Sequence, residues 1–358
     1  MADKEWARKS SERVTILDIA RAAGVSKSSV SRFLDERLPA SNSEKARRVR
    51  RIAEELGYMR DASAANLRRG KTGLIGVIVP RLTDTVMAML YESLQRAAAR
   101  LGHFVIVATT DDTPEAARRA AETLLRRGVD GLVLSIARTD DEFIGELANR
   151  GVPYVLALRT DGQSRSAVGD DRLGGYLATR HLIDLGHRRI GLIAGPSYAS
   201  SASGRQEGYR KAMSEAGIDI DPDLIIESTF GIESGSDAVR KMMRTSNRPS
   251  AIFAVNDNTA IGALAALNEL GLSVPEDVSL VGYNDVPIVS KLPVPLTSVH
   301  VPFDQIATEA LNLLLDEEEE PIEPIRRVTP SLIPRKSSRQ IKPDGAIPIP
   351  GRHRSTKK

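Results

Sequence analysis

Cysteine is absent from the 358 residues, which removes disulfides, thiolate metal sites and cysteine nucleophiles together. No apolar run approaches the ~18 residues of a membrane helix, and the opening MADKEWARKSSE has no hydrophobic signal region. The chain is therefore expected to be cytoplasmic, with no membrane partner. No GxGxxG follows an apolar strand, and there is no nucleophile elbow and no clustered set of metal ligands. Gly70, Lys71 and Thr72 resemble the end of a phosphate-binding loop, but the first glycine that motif needs falls on Ala65. Catalytic residues, cofactor and metal are accordingly all expected to be none, and the protein is not expected to be an enzyme.

A net charge of +3 hides an uneven distribution. Residues 1–72 carry 17 Lys and Arg against 10 Asp and Glu, residues 335–358 carry 8 against 1, and the middle is acidic. Basic ends on an acidic body suit a polyanion bound at one place on the molecule.

The most informative stretch is TILDIARAAGVSKSSVSRFLD, from Thr15 to Asp35. Thr15 can cap a helix in which Ile16, Ile19, Ala20 and Ala23 recur at helical spacing. Gly24 permits a sharp stop, Val25 plugs the turn, and Ser26 caps a second helix from Lys27 to Leu34. Val30, Phe33 and Leu34 face inward, leaving Lys27, Ser28, Ser31 and Arg32 outward. This is helix-turn-helix patterning, with an outer face able to enter a major groove. A third helix follows, with Ser41 and Glu44 as a capping box and Val49, Ile52, Ala53 and Leu56 on one face. Its other face carries Lys45, Arg47, Arg48, Arg50 and Arg51, placed to grip phosphates.

From Leu74 onward short apolar runs alternate with amphipathic helices: LIGVIV, FVIVA, LVLSI and PYVLAL, then RIGLIAG, AIFAV and VSLVGY. That alternation predicts parallel sheets covered on both faces. Two such sheets with facing carboxyl ends make a ligand cleft.

VTILDIARAAGVSKSSVSRFLD resembles the N-terminal signature of the lactose-repressor (LacI) family of bacterial transcription regulators. The similarity continues to about Arg335 through GVIVPRLTD, RGVDGLVL, HLIDLGHRRIGLIAGP, AIFAVNDNTAIGALAAL and VPEDVSLVGYND. It implies an N-terminal all-α helix-turn-helix (lambda-repressor-like) domain at 13–58 and a hinge helix and linker at 59–72. An α/β periplasmic-binding-protein-like sensor of two subdomains would follow at 73–335. The remaining residues, 336–358, are rich in Pro, Gly and basic residues and read as a disordered tail.

The resemblance further implies DNA contacts from Thr15, Ser26, Lys27, Ser28, Ser29, Ser31 and Arg32. It makes Leu67 an apolar wedge that kinks the minor groove as the hinge folds on the operator. By position in the family phrases, an effector pocket would use Asp84, Met87, Arg159, Ser201, Arg205, Phe230, Asp257 and Asn284, with Arg205 and Asp257 foremost. Val86 and Met87 stand where sugar-binding relatives often have paired aromatics, and Leu158 where many have an Asp, so the ligand is read as a small polar metabolite that includes but is not confined to sugars. His181 and His187 fall at a helix end and its turn, and read as structural. The implied protein is a homodimer on a pseudo-palindromic double-stranded DNA operator, controlled by a small-molecule effector. A carrier of periplasmic-binding-protein type without a DNA role is the rival reading.

Overall fold

A computed structural model describes residues 14–35, 39, 41–58, 71–245, 247–316 and 323–341. The chain divides into two compact units, 1–72 and 73–358. In the first, α1 (Ile16–Ala23), α2 (Lys27–Phe33) and α3 (Glu44–Glu55) close around Ile19, Ala20, Ala23, Val30, Val49 and Ala53. Asp18 accepts from both the backbone N–H and the hydroxyl of Thr15, at 2.9 and 2.6 Å, fixing the start of α1. Gly24 ends it in the left-handed region at φ 65°, where a Cβ would be strained, and the Val25 N–H returns to the Ala20 carbonyl. Ser26 Oγ then accepts the Ser29 N–H at 3.2 Å and starts α2.

The cap of α3 is Ser43, not Ser41 as expected from the sequence. Ser43 Oγ accepts the Ala46 N–H at 3.3 Å, while Ser41 Oγ donates to Ser43 Oγ and the Ser41 carbonyl accepts Arg50 Nη2 at 2.5 Å. Both serines carry the right side chain, and only Ser43 directly precedes the first helical residue.

The second unit holds two six-stranded sheets in the order β11-β5-β4-β3-β1-β2 and β12-β10-β9-β8-β6-β7. The first comprises β1 (Leu74–Val79), β2 (Phe104–Thr109), β3 (Gly131–Leu134), β4 (Tyr154–Ala157), β5 (Ser166–Gly169) and β11 (Ile325–Val328). The second comprises β6 (Ile190–Ala194), β7 (Ile225–Glu227), β8 (Ala251–Ala254), β9 (Ser279–Asn284), β10 (Thr297–His300) and β12 (Ser331–Ile333). All pairs are parallel except β10 with β12. The chain passes between sheets after β5, after β10 and after β11, so three strands of polypeptide join the lobes.

Helices α4 (Thr85–Arg100), α5 (Pro114–Arg126), α6 (Phe143–Asn149) and α11 (Phe303–Leu315) cover the first sheet, and α7 (Asp171–Asp184), α8 (Ser200–Glu215), α9 (Ile232–Met242) and α10 (Asp257–Glu269) cover the second. Helices α7 and α8 pack in close approach: a Cβ on Gly208 would fall 2.1 Å from the Arg172 carbonyl oxygen. Glycine there lets α8 approach near enough to present Arg205 beside α7.

The body continues beyond 335. Residues 336–341, read from the sequence as the start of a disordered tail, are packed onto the second lobe. The Ser337 side chain is fully buried; its hydroxyl donates to the Leu280 carbonyl at 2.6 Å and accepts the Thr297 N–H at 2.8 Å. His181 meets Ser338 Oγ at 2.8 Å, His187 bonds the hydroxyls of Ser250 and Ser279 and the Arg339 carbonyl, and Ile341 N–H reaches the Leu185 carbonyl. Composition concealed this because hydroxyls satisfying strand backbone leave no apolar signature. Residues 342–358, and the hinge reading over 59–70 with Leu67, lie outside the described residues.

Candidate nucleic-acid interface and ligand cleft

Of the residues assigned to DNA contact, all but Leu67 lie among the described residues of the first unit. Thr15, Ser26, Lys27, Ser28, Ser31 and Arg32 are exposed, whereas Ser29 is half-buried with its Oγ 2.9 Å from Ser26 Oγ. Lys45, Arg47, Arg48 and Arg51 are exposed on α3; Arg50 is half-buried and committed to Ser41. The Thr15 hydroxyl and backbone N–H hold the Asp18 carboxyl below its usual range, so it stays charged at the helix start.

In the second unit a cleft of about 410 Å³ opens at the carboxyl ends of the strands. Seven of the eight expected pocket residues line it: Asp84, Met87, Arg159, Ser201, Arg205, Phe230 and Asn284. Asp84 caps α4 through the Val86 N–H at 3.1 Å and accepts Asn258 Nδ2 from the other lobe at 3.3 Å. Burial pushes its pKa up, against those two hydrogen bonds. Arg159, 4 % exposed, forms a two-bond fork on Asp112 at 3.0 and 3.1 Å. Asp112 also accepts the Tyr198 hydroxyl at 2.9 Å. Tyr198 comes from the second lobe, its ring lies 3.5 Å from the Arg138 guanidinium, and its carbonyl accepts the Thr139 N–H. Hydrogen bonds from Asn258 to Asp84, from Tyr198 to Asp112 and from Thr139 to Tyr198 thus tie the lobes together.

Arg205 emerges from α8 into the floor of the cleft. It is 8 % exposed, and its Nε meets Asp171 at 2.8 Å while Nη1 donates to the Val255 carbonyl at 2.8 Å. Its guanidinium lies 3.8 Å from the centre of the Tyr283 ring. Burial opposes its charge, but Asp171 and Tyr283 outweigh that and its pKa is raised. Burial raises Asp171 as well, against the pull of Arg205.

Asp257 does not line the cleft. Its carboxylate accepts the Val286 N–H at 2.8 Å and the Ser298 hydroxyl at 2.7 Å, and at 1 % exposure its pKa is pushed up to about 7 by burial. Its work is to hold the loop after β9 against β10. In doing so it supports Asn284, which lines the cleft from left-handed backbone at φ 103°. Asp112, Asp171, Tyr198 and Asn258 were not foreseen. No spacing rule marks them, since each acts on a partner 34 to 174 residues away.

A helix-turn-helix head joined to a two-lobed α/β body with a ligand cleft defines a ligand-responsive DNA-binding regulator. The chain belongs to the lacI family of bacterial regulatory proteins. That family's model matches residues 15–61, and a periplasmic binding protein-like domain model matches 179–338. The chain is 33% identical over 335 residues to the HTH-type transcriptional repressor PurR of Haemophilus influenzae (strain PittEE), covering 91% of this chain and 99% of the relative. It is 34% identical over 330 residues to the ribose operon repressor of Escherichia coli (strain K12), covering 90% and 99%. Among solved structures, the lac repressor dimer bound to operator and the anti-inducer ONPF matches with TM-score 0.82 at 28% identity, covering 92% of this chain and 100% of that one. The transcriptional regulator CelR-cellobiose complex matches with TM-score 0.69 at 30% identity, covering 91% and 100%.

Proposed function

We propose that this protein is a transcriptional repressor that binds a pseudo-palindromic operator as a homodimer and is switched by a small polar metabolite seated in the cleft. One observation carries the reading: Lys27, Ser28, Ser31 and Arg32 stand exposed on a short helix whose start is locked by Ser26 and whose preceding turn is set by Gly24. Such a helix reaches base edges from its outer face while the arginines of α3 take phosphates. In the dimer, two such heads would face successive major grooves, and Leu67 from each hinge would wedge the minor groove between them.

The cleft is read as a binding site and not a catalytic one, because its two buried arginines and their carboxylates are tied to each other. Closing or opening it moves one lobe against the other and so changes how readily the two hinges pair on DNA. Relatives named for ribose and seen with cellobiose favour a sugar-sized effector. Selection of duplexes from a random pool by the intact chain, repeated with a metabolite panel, tests site, effector and sign together. Enrichment of a two-fold symmetric sequence whose recovery changes with one metabolite is the expected result. No enrichment over random duplex at physiological salt would remove the reading.

A further inference from the structure

The charges lining the cleft are unequal. Five carboxylates, those of Asp84, Asp111, Asp112, Asp171 and Glu233, share it with three guanidinium groups, those of Arg81, Arg159 and Arg205. The two arginines that are buried are already answered from within: Arg159 by both oxygens of Asp112, and Arg205 by Asp171 and a main-chain carbonyl. Arg81 stands exposed at the rim near Asp84. Asp111 and Glu233, both exposed, add negative charge at the mouth. Among the described residues, the buried side-chain polar atom left without a partner is neutral, the hydroxyl of Tyr283, whose ring lies 3.8 Å from the Arg205 guanidinium. The neutral amide of Asn284, 4 % exposed, lines the cavity.

We propose that the cleft selects an uncharged, hydroxyl-rich ligand and excludes phosphorylated or carboxylated forms of the same molecule, because each buried arginine is neutralised by a carboxylate of the cleft itself. A phosphate or carboxylate entering here must either displace Asp112 or Asp171 from its arginine, stranding a buried charge, or sit beside carboxylates of its own sign. Hydroxyls meet neither penalty. They can accept from the Asn284 amide and from the guanidinium N–H groups not used by the ion pairs, and donate to Asp84. The two arginines thus act as oriented donors held in place by their partners, without offering net positive charge.

This inference rests on the cleft being the effector site, and the experiment separates the two. The full chain is titrated calorimetrically with D-ribose, D-glucose and cellobiose, and with ribose 5-phosphate and glucose 6-phosphate. Wild type should bind no phosphate ester. Asp112→Asn, which frees Arg159, should bind the esters at least roughly tenfold more tightly than the detection limit that bounds wild type, a change of ~1.4 kcal/mol or more. Should Asp112→Asn fold poorly, the exposed double variant Asp111→Asn with Glu233→Gln lowers the same negative field without touching a buried pair, and ester affinity should again rise. Ester binding by wild type that disappears when Ser201→Trp fills the cleft would overturn the charge argument. So would continued rejection of both esters by both variants. Any ligand whose binding survives Ser201→Trp would place the effector site elsewhere and overturn the reading beneath it.

Discussion

Replacing Arg205 with alanine would leave Asp171 in a buried position with its charged partner gone. The two side chains are 10% and 12% exposed and 2.8 Å apart, so water can do little to replace the lost ion pair. Removing one member of such a pair costs about 3–5 kcal/mol, chiefly the penalty of the stranded charge. For a body of this size that corresponds to a drop in Tm of roughly 6–20 °C at ~2–4 °C per kcal/mol. The deficit should depend on pH. Burial already raises Asp171, and Arg205 is what holds it down. Without Arg205 its folded pKa rises further, so the native state binds a proton more readily than the unfolded chain. Stability of the variant then falls as pH rises from the unfolded value of ~3.9 through the new folded value. Arg205→Ala should therefore be closest to wild type in acid and furthest from it in alkali. Arg205→Met combined with Asp171→Asn removes the stranded charge and should recover most of the loss. Urea denaturation of wild type and both variants across pH measures this directly. Equal losses in the single and double variants, or a deficit flat with pH, would refute the account of the pair.

Asp257, with its pKa near 7, should make wild type lose stability relative to Asp257→Asn as pH rises from about 4 to about 8, by up to ~4 kcal/mol. Parallel urea curves for the two would show that its carboxyl is not held neutral by burial. Arg32→Ala should weaken binding to the selected operator by ~1–3 kcal/mol and relax preference at one base position, scored by competition against single-base variants. An unchanged preference would remove Arg32 from base reading. Leu67→Ala should reduce operator bending, seen as gel mobility of circularly permuted fragments, while ligand affinity off DNA stays as in wild type; unchanged bending would refute the wedge.

What the sequence disclosed and what it withheld follow from how far each signal reaches. The helix-turn-helix was legible because Thr15, Gly24 and Ser26 act on neighbours within a few residues. The long apolar strands were legible as runs covered on both faces. The strands β5, β7, β10, β11 and β12 went unread, since three or four residues such as SAVG or IIE carry no period of their own and pair only because neighbours are already in place.

The cleft was half legible. Its arginines were placed by resemblance, but the carboxylates that answer them lie far off in the chain, and Asp112 reaches Arg159 across 47 residues. Asp257 was placed in the pocket by its position in the family phrase AIFAVNDNTAIGALAAL. In the folded chain the Val286 N–H and the Ser298 hydroxyl, both beyond β8, claim its oxygens instead.

One protein in which a cleft governs a groove-reading helix must obey reciprocal linkage, so the most direct measurement is a closed thermodynamic cycle. Operator affinity would be determined with and without the effector found by selection, and effector affinity with and without operator. The account predicts the same factor on both legs, of the order of 5 to 150. A factor of one, with both ligands bound to the same molecule, would contradict it.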